Sequence, residues 1–140
     1  MSFYHKYKKY KSKYLNMKKQ IGGQDYEISI QNPRDTPWLD WIDNGIKEYE
    51  GRLNRGIFKT MKIGDKVIWY DRRSNKRVKT EIVKLEYYKN FEEAFDELGN
   101  KLVPINNATV EIVNGLYSKY FTKQEIEMSG VVAIGLKVIR

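Results

Sequence analysis

The chain has 140 residues, 41% of them hydrophobic, with 3 Trp, 11 Tyr and 5 Phe, enough for one domain with a packed core plus a short appendage. It has no cysteine, which excludes disulfides, zinc–thiolate sites and cysteine nucleophiles; its one histidine, His5, leaves no basis for a Ser-His-Asp triad or a multi-histidine metal site. The net charge of +8 is unevenly held: residues 1–24 carry seven lysines and no acid, and the remainder sets 19 basic against 18 acidic residues. The footprint of a polyanion binder therefore lies in the N-terminal segment, and the domain itself is close to neutral.

That segment is patterned. Phe3, Tyr7, Tyr10, Tyr14, Met17 and Ile21 recur at spacings of 4, 3, 4, 3 and 4, the seam of an amphipathic helix, with most of the lysines between them and Gly22-Gly23 as a stop. This predicts a basic helix over about residues 3–20, within a unit spanning 1–23. Three roles stay open for it: packing on the domain or on a second copy, binding nucleic acid or another polyanion, and lying on an anionic membrane surface. His5 carries no role.

Residues 24–140 form the second unit. Tyr26, Ile28 and Ile30 alternate in a first strand over 24–32. Thr36 before Pro37 reads as an N-cap and first-turn pair for a helix running to about Asn44, with Trp38, Leu39 and Ile42 inward and Gly45 as its end. Residues 46–52 follow as a strand or loop, and Gly56 to Lys62 as a connector. Residues 66–71 and 77–87 make a hairpin about the turn Asp71-Arg72-Arg73-Ser74-Asn75. Asn90 opens a helix over Phe91–Leu98 with Phe91, Ala94, Phe95 and Leu98 inward; a further helix covers about 107–119, and Val131 to Ile139 closes the chain as a buried strand. The order is β-α-β-β-β-α-α-β, an α+β arrangement suited to a small pseudobarrel.

Two strings stand out. Residues 45–52 read Gly-Ile-Lys-Glu-Tyr-Glu-Gly-Arg, and Gly64-Asp65 then launches the apolar run Lys66-Val67-Ile68-Trp69-Tyr70. Together they resemble the ASCH family, a branch of the PUA-like barrels, whose pattern runs roughly G-x-K-x-x-E-x-R, then G-D and a hydrophobic strand. The resemblance implies a PUA-like β-pseudobarrel of about five to six strands with two to three flanking helices, beside the N-terminal amphipathic helix. It also implies a nucleic-acid ligand, RNA or another single strand, in a pocket lined by Lys47, Glu50 and Arg52. On a regular strand, 47 and 50 point to opposite faces and 50 and 52 to the same one, so a turn after Gly45 is needed to bring the three together. Lys47 and Arg52 then suit a phosphate or base carbonyl, and Glu50 an exocyclic amine. The bland alternative is a surface strand with a Glu50–Arg52 ion pair, worth under about 1 kcal/mol.

Around that pocket, Tyr70 and the cations Arg72, Arg73, Lys76, Arg77 and Lys79 at the hairpin are candidates for base stacking and phosphate contact, set against an ordinary solvated basic loop. Trp38 and Trp69 read as core. Trp41 points away from the Trp38–Ile42 face and is the better stacking platform.

Some small bacterial members of the resembled family are amidohydrolases that remove the acetyl group of N4-acetylcytidine, using the motif lysine, a threonine three residues on and a glutamate from a later segment. Lys47 matches, but Glu50 occupies the threonine position, and Thr60 and Thr80 lie in other segments. Glu93 or Glu97 could stand for the assisting glutamate, and Glu50 could act as a general base toward water. The missing threonine tilts the reading toward binding. No cofactor or metal is called for. Residues 7–23 resemble a leader found at the front of giant-virus proteins of the mimivirus type, which implies a viral partner, a virion-associated role, and a place in the host cytoplasm or the virion. No apolar run reaches 18 residues, and no apolar stretch opens the chain, so neither a transmembrane segment nor a secretory signal is expected.

Overall fold

The computed structural model describes residues 22–140, so the N-terminal helix expected over 3–20, and His5 with it, lie outside the described residues. β1 (Asp25–Ser29) is followed by α1 (Trp38–Asp43), β2 (Tyr49–Leu53), a short 3-10 turn (Gly56–Lys59), β3 (Lys66–Tyr70) and β4 (Arg77–Tyr88). α2 (Phe91–Leu98), a second 3-10 turn (Gly99–Lys101), α3 (Val110–Tyr117), α4 (Lys123–Ser129) and β5 (Val131–Val138) complete the chain. The five strands form one curled sheet in the order β1-β3-β4-β5-β2, with β1 parallel to β3 and every other pair antiparallel. The result is the α+β half-barrel that the strand pattern implies.

Its curl has a local cause. Ile82 pairs with Leu136 and Lys84 with Gly135, so Val83 is an extra residue in β4. A bulge of this kind bends the strand and deepens its twist; it also turns Val83 outward, which accounts for an exposed valine in mid-strand. The concave face is filled by Val67 and Trp69 of β3, Val78 and Ile82 of β4 and the apolar start of β5. Trp69 Nε1 donates to Thr80 Oγ1 at 3.0 Å, and that hydroxyl donates to the Val67 carbonyl at 2.9 Å, so these two buried polar side chains are satisfied.

The Gly64-Asp65 string is a clasp. Asp65 is fully buried, and its carboxylate accepts from the backbone N–H of Gly23 (2.8 Å), Gln24 (2.9 Å) and Lys62 (2.7 Å). The segment entering β1 is thereby tied to the turn entering β3, which sets the parallel pairing of those two strands.

The helices bring two corrections. α1 begins at Trp38 with Pro37 as its N-cap, and no Thr36 cap bond forms. Asn32 Oδ1 instead accepts from the Leu39 and Asp40 N–H groups at 3.1 and 3.2 Å, a cap supplied from the loop after β1. The second correction is α4, which the apolar pattern does not predict. It is seven residues long, shows no wholly buried side chain, and leaves Met128 80% exposed, so apolar periodicity does not mark it. Its signal is the capping box, in which Thr122 accepts from the Glu125 N–H and Glu125 from the Thr122 N–H. Asn90 caps α2 as expected, accepting from the Glu93 N–H at 2.9 Å.

Candidate nucleic-acid interface

Gly45 closes α1 with φ +84°, a conformation costly for residues with a Cβ. The Lys47 N–H then returns to the Trp41 carbonyl (3.0 Å) and the Glu48 N–H to the Lys101 carbonyl (2.8 Å). Residues 45–48 therefore turn the chain, and the strand starts only at Tyr49. This brings Lys47 to the same side as Glu50 and Arg52.

The three side chains form one chain of contacts. Lys47 Nζ donates to the Leu102 carbonyl, sits 3.6 Å from Glu50 Oε1 and lies 4.9 Å from the centroid of the Trp38 ring. Arg52 Nε donates to Glu50 Oε2 at 2.9 Å, and Arg52 Nη2 to the Ser29 carbonyl at 3.1 Å. The guanidinium lies between the rings of Phe58 (5.5 Å) and Trp69 (5.3 Å). With Lys47 1% and Glu50 6% exposed, the surface ion-pair alternative does not describe these residues. Burial lowers the Lys47 ammonium to about 8, against the raising effect of the Glu50 carboxylate.

Glu50 and Arg52 face a cleft of about 590 Å³, within the size range of small-molecule sites. Its other walls are the loop from Ser29 to Pro33, the hairpin tip with Arg72 and Arg73, and an aromatic group of Trp38, Tyr117, Tyr120 and Phe121. Lys47 does not line it: the lysine lies behind the glutamate. The aromatic group is ordered by stacking, Trp38 on Tyr117 at 5.7 Å, Tyr117 on Phe91 at 3.8 Å and Phe91 on Phe121 at 5.7 Å, while Trp38 Nε1 donates to the Tyr120 hydroxyl at 3.2 Å. Gly51 permits this packing, because a Cβ there would stand 3.0 Å from Phe91 Cε1 and 3.3 Å from the Tyr117 hydroxyl. The Tyr117 hydroxyl is buried without a hydrogen-bond partner. Burial, with the nearby Glu50 adding to it, holds this phenol well above its usual range, so it is a donor.

The hairpin cations divide. Arg72 and Arg73 stand at the cleft mouth, on a turn knotted by Asp71, which accepts from the Arg73 and Ser74 N–H groups at 3.3 Å and from Ser74 Oγ at 2.7 Å. Lys76 is engaged elsewhere, pairing with Asp40 at 2.6 Å and Asp43 at 3.0 Å, and Asp43 also takes Arg140 at 2.9 Å. The hydrogen bond from Lys76 holds both carboxyls below their usual range. Arg77 pairs with Glu27 and lies 5.9 Å from the Tyr70 ring; neither of these two, nor exposed Lys79, borders the cleft. Trp41 is half-buried, makes a T-shaped contact with Trp38 at 5.5 Å and does not line the cleft. Glu93 pairs with Lys89 at 3.3 Å, and it and Glu97 lie on α2 outside the cleft wall.

Tyr117, Tyr120 and Phe121 are wall residues that the sequence patterns do not assign to the site. Three aromatics within five positions at the end of a helix are the available signal. Among the described residues, no group of three or more His, Cys, Asp or Glu is placed to hold a metal, and no helix is long and apolar enough to cross a membrane.

A family model described as the ASCH domain matches residues 35–140. Among solved structures, the chain is similar to the crystal structure of hypothetical protein PH0355, at 24% identity and a TM-score of 0.71 over 83% of this chain and 100% of that one. It is also similar to the solution NMR structure of protein PF0455 from Pyrococcus furiosus, at 20% identity and a TM-score of 0.64 over 84% of this chain and 99% of that one. At these identities the likeness concerns the fold alone. No curated protein matches the chain.

Proposed function

The chain belongs to the ASCH domain family, and on that premise we propose that it is an RNA-binding module that takes one unpaired nucleotide into the cleft beside Glu50 and Arg52. The observation that carries this reading is the meeting in one recess of a carboxylate, a guanidinium and a stacked aromatic wall, with two more arginines at the mouth. Aromatic faces stack unpaired bases of any identity, a carboxylate accepts from an exocyclic amine, and arginines at the rim bind phosphate without reading sequence. Lys47 serves this site from behind, holding Glu50 in place rather than touching the ligand. The N-terminal lysines are a second, sequence-blind polyanion contact, consistent with a virion-associated role.

The amide-hydrolysis alternative draws less support. Lys47 is buried against Leu102 and Glu50, Glu50 stands where the amidohydrolases have threonine, and Glu93 and Glu97 are off the cleft wall.

Fluorescence anisotropy with a labelled single-stranded RNA tests the proposal. Arg72→Ala/Arg73→Ala should weaken binding and flatten its salt dependence by roughly 0.7 in log K against log salt for each phosphate that is no longer neutralised. Binding by a chain beginning at Gly22 separates the cleft from the N-terminal segment. Wild-type affinity and salt slope in the double variant, together with wild-type affinity in Arg52→Lys, would remove RNA from this cleft.

A further inference from the structure

Glu50 is 6% exposed, and its carboxylate stands in the cleft wall between two cations, one for each oxygen. Oε1 lies 3.6 Å from Lys47 Nζ, and Oε2 accepts from Arg52 Nε at 2.9 Å. A carboxylate offers about four acceptor sites and no donor, so each oxygen keeps acceptor capacity beyond its cation. Arg52 spends Nε on Glu50 and Nη2 on the Ser29 carbonyl, and its Nη1 makes no hydrogen bond among the described residues. The wall therefore presents two acceptors side by side, with a guanidinium on the Oε2 flank. Aromatic faces stack bases of any identity, so the choice among bases falls to Glu50 and Arg52.

We propose that this cleft selects guanine, the one standard RNA base whose edge carries two neighbouring N–H donors beside a carbonyl. This rests on the nucleotide reading of the cleft. With N1–H on Oε2 and the N2 amine on Oε1, the O6 carbonyl falls on the Arg52 side, where it accepts from the guanidinium. Adenine and cytosine each give one amine hydrogen to Glu50 but set a ring-nitrogen lone pair against its second oxygen. Uracil offers a single N–H between two carbonyls and meets the same repulsion. Water cannot relieve such a mismatch at a carboxylate this buried, so the wrong bases are rejected as well as the right one held. An arginine side chain carries the same paired donors. Its charge meets Arg52, Arg72 and Arg73 in the cleft and Lys47 behind Glu50, which disfavours it. A guanine nucleotide instead brings a phosphate to the arginines at the mouth.

Amide NMR titration of the full chain with the four ribonucleoside 5′-monophosphates tests this, because all four carry the same phosphate. GMP should perturb Glu50 and Arg52 and bind about tenfold or more tighter than AMP, CMP and UMP, the worth of one bidentate contact. Inosine 5′-monophosphate keeps N1–H and O6 but lacks the N2 amine, and should lose about tenfold against GMP. Glu50→Gln presents one donor and one acceptor, so its preference should turn from guanine toward adenine; the inosine comparison needs no variant and holds even if that protein does not fold. Equal binding of the four monophosphates, or inosine monophosphate as tight as GMP, would overturn the inference and leave a nucleotide site intact. In strand form, the pentanucleotide UUGUU should bind tighter than both UUUUU and GMP. GMP tighter than UUGUU would instead overturn the RNA reading, with the guanine preference standing. If no nucleotide perturbs Glu50 or Arg52, both fail.

Discussion

Arg52 Nη2 donates to the Ser29 carbonyl at 3.1 Å, joining β2 to the end of β1, the two outer strands of the sheet. The same guanidinium holds Glu50 and borders the cleft. One side chain thus closes the half-barrel and shapes the candidate binding surface, which couples stability to recognition at this position.

An ammonium cannot make both of those directed bonds while lying between Phe58 and Trp69. Arg52→Lys is therefore expected to lower stability by about 1.5–3 kcal/mol, read as a shift of the urea midpoint at unchanged m-value. RNA binding should weaken with it. An unshifted midpoint would mean that the seam does not depend on the guanidinium.

Tyr117→Phe isolates the aromatic wall from its hydroxyl. The hydroxyl has no protein partner, so its loss should leave the melting temperature unchanged or slightly raised. RNA affinity should be unchanged as well, because the hydroxyl is buried away from the cleft and only the ring is available to a ligand. A clearly lowered melting temperature would place the hydroxyl in a structural bond instead.

Gly51→Ala tests the packing behind the cleft. The added methyl would meet the Phe91 ring at 3.0 Å, inside ordinary contact. Overpacking of this kind costs about 1–3 kcal/mol, and it should displace Tyr117 enough to weaken ligand binding. Chemical denaturation and anisotropy on the same variant provide both readouts.

Lys47 makes stability depend on alkaline pH. Its folded-state value of about 8 lies below the ordinary lysine value of 10.5, so between those limits the unfolded chain binds more protons and stability rises with pH. Tyr49 and Tyr117, both raised above 10 in the fold, act in the opposite direction once tyrosines begin to ionise. The rise should therefore be seen from about pH 8 to 10. Urea midpoints measured across that range should climb in the wild type and flatten in Lys47→Met; the same slope in both would assign it to another group. At the acid end, Asp40 and Asp43 are lowered from 3.8 by Lys76. Their stabilising effect is present above that value and is lost as pH falls through their folded values, and Lys76→Gln should reduce it to the part held by Asn32 and Arg140.

Asp65 ties the segment ahead of β1 into the fold. A chain beginning at Gly22 keeps all three donors to that buried carboxylate, whereas one beginning at Asp25 loses Gly23 and Gln24. Leaving a buried acceptor short of partners costs about 1–3 kcal/mol. Thermal melts of the two truncated chains should differ accordingly, with the longer one close to the full chain.

Most of the elements are legible in the sequence because their signals are local. Alternation marks β1, β3 and β4; Asn90 marks α2; the turn residues from Asp71 to Asn75 mark the hairpin. The motif names the right side chains, but strand geometry alone cannot bring Lys47 beside Glu50. Residues 45–48 are shaped by bonds to Trp41 and to Lys101, more than 50 positions on in the latter case, and such contacts leave no periodic trace. For the same reason five hairpin cations look equivalent in the sequence. Only the fold separates Arg72 and Arg73, at the cleft, from Lys76, committed to α1, and from Arg77, committed to Glu27. The aromatic wall is hidden because Tyr117 to Phe121 fall at a helix end, where core packing explains an aromatic as readily as recognition does.

The turn carrying Arg72 and Arg73 is tied at one end by Asp71 and at the other by the ion pair of Lys76 with Asp40 of α1. Its backbone is therefore already ordered when a ligand arrives. Calorimetrically, docking on this surface should resemble contact between rigid bodies: a heat-capacity change set by the apolar area the ligand covers, without the additional drop that accompanies folding of a loop on binding.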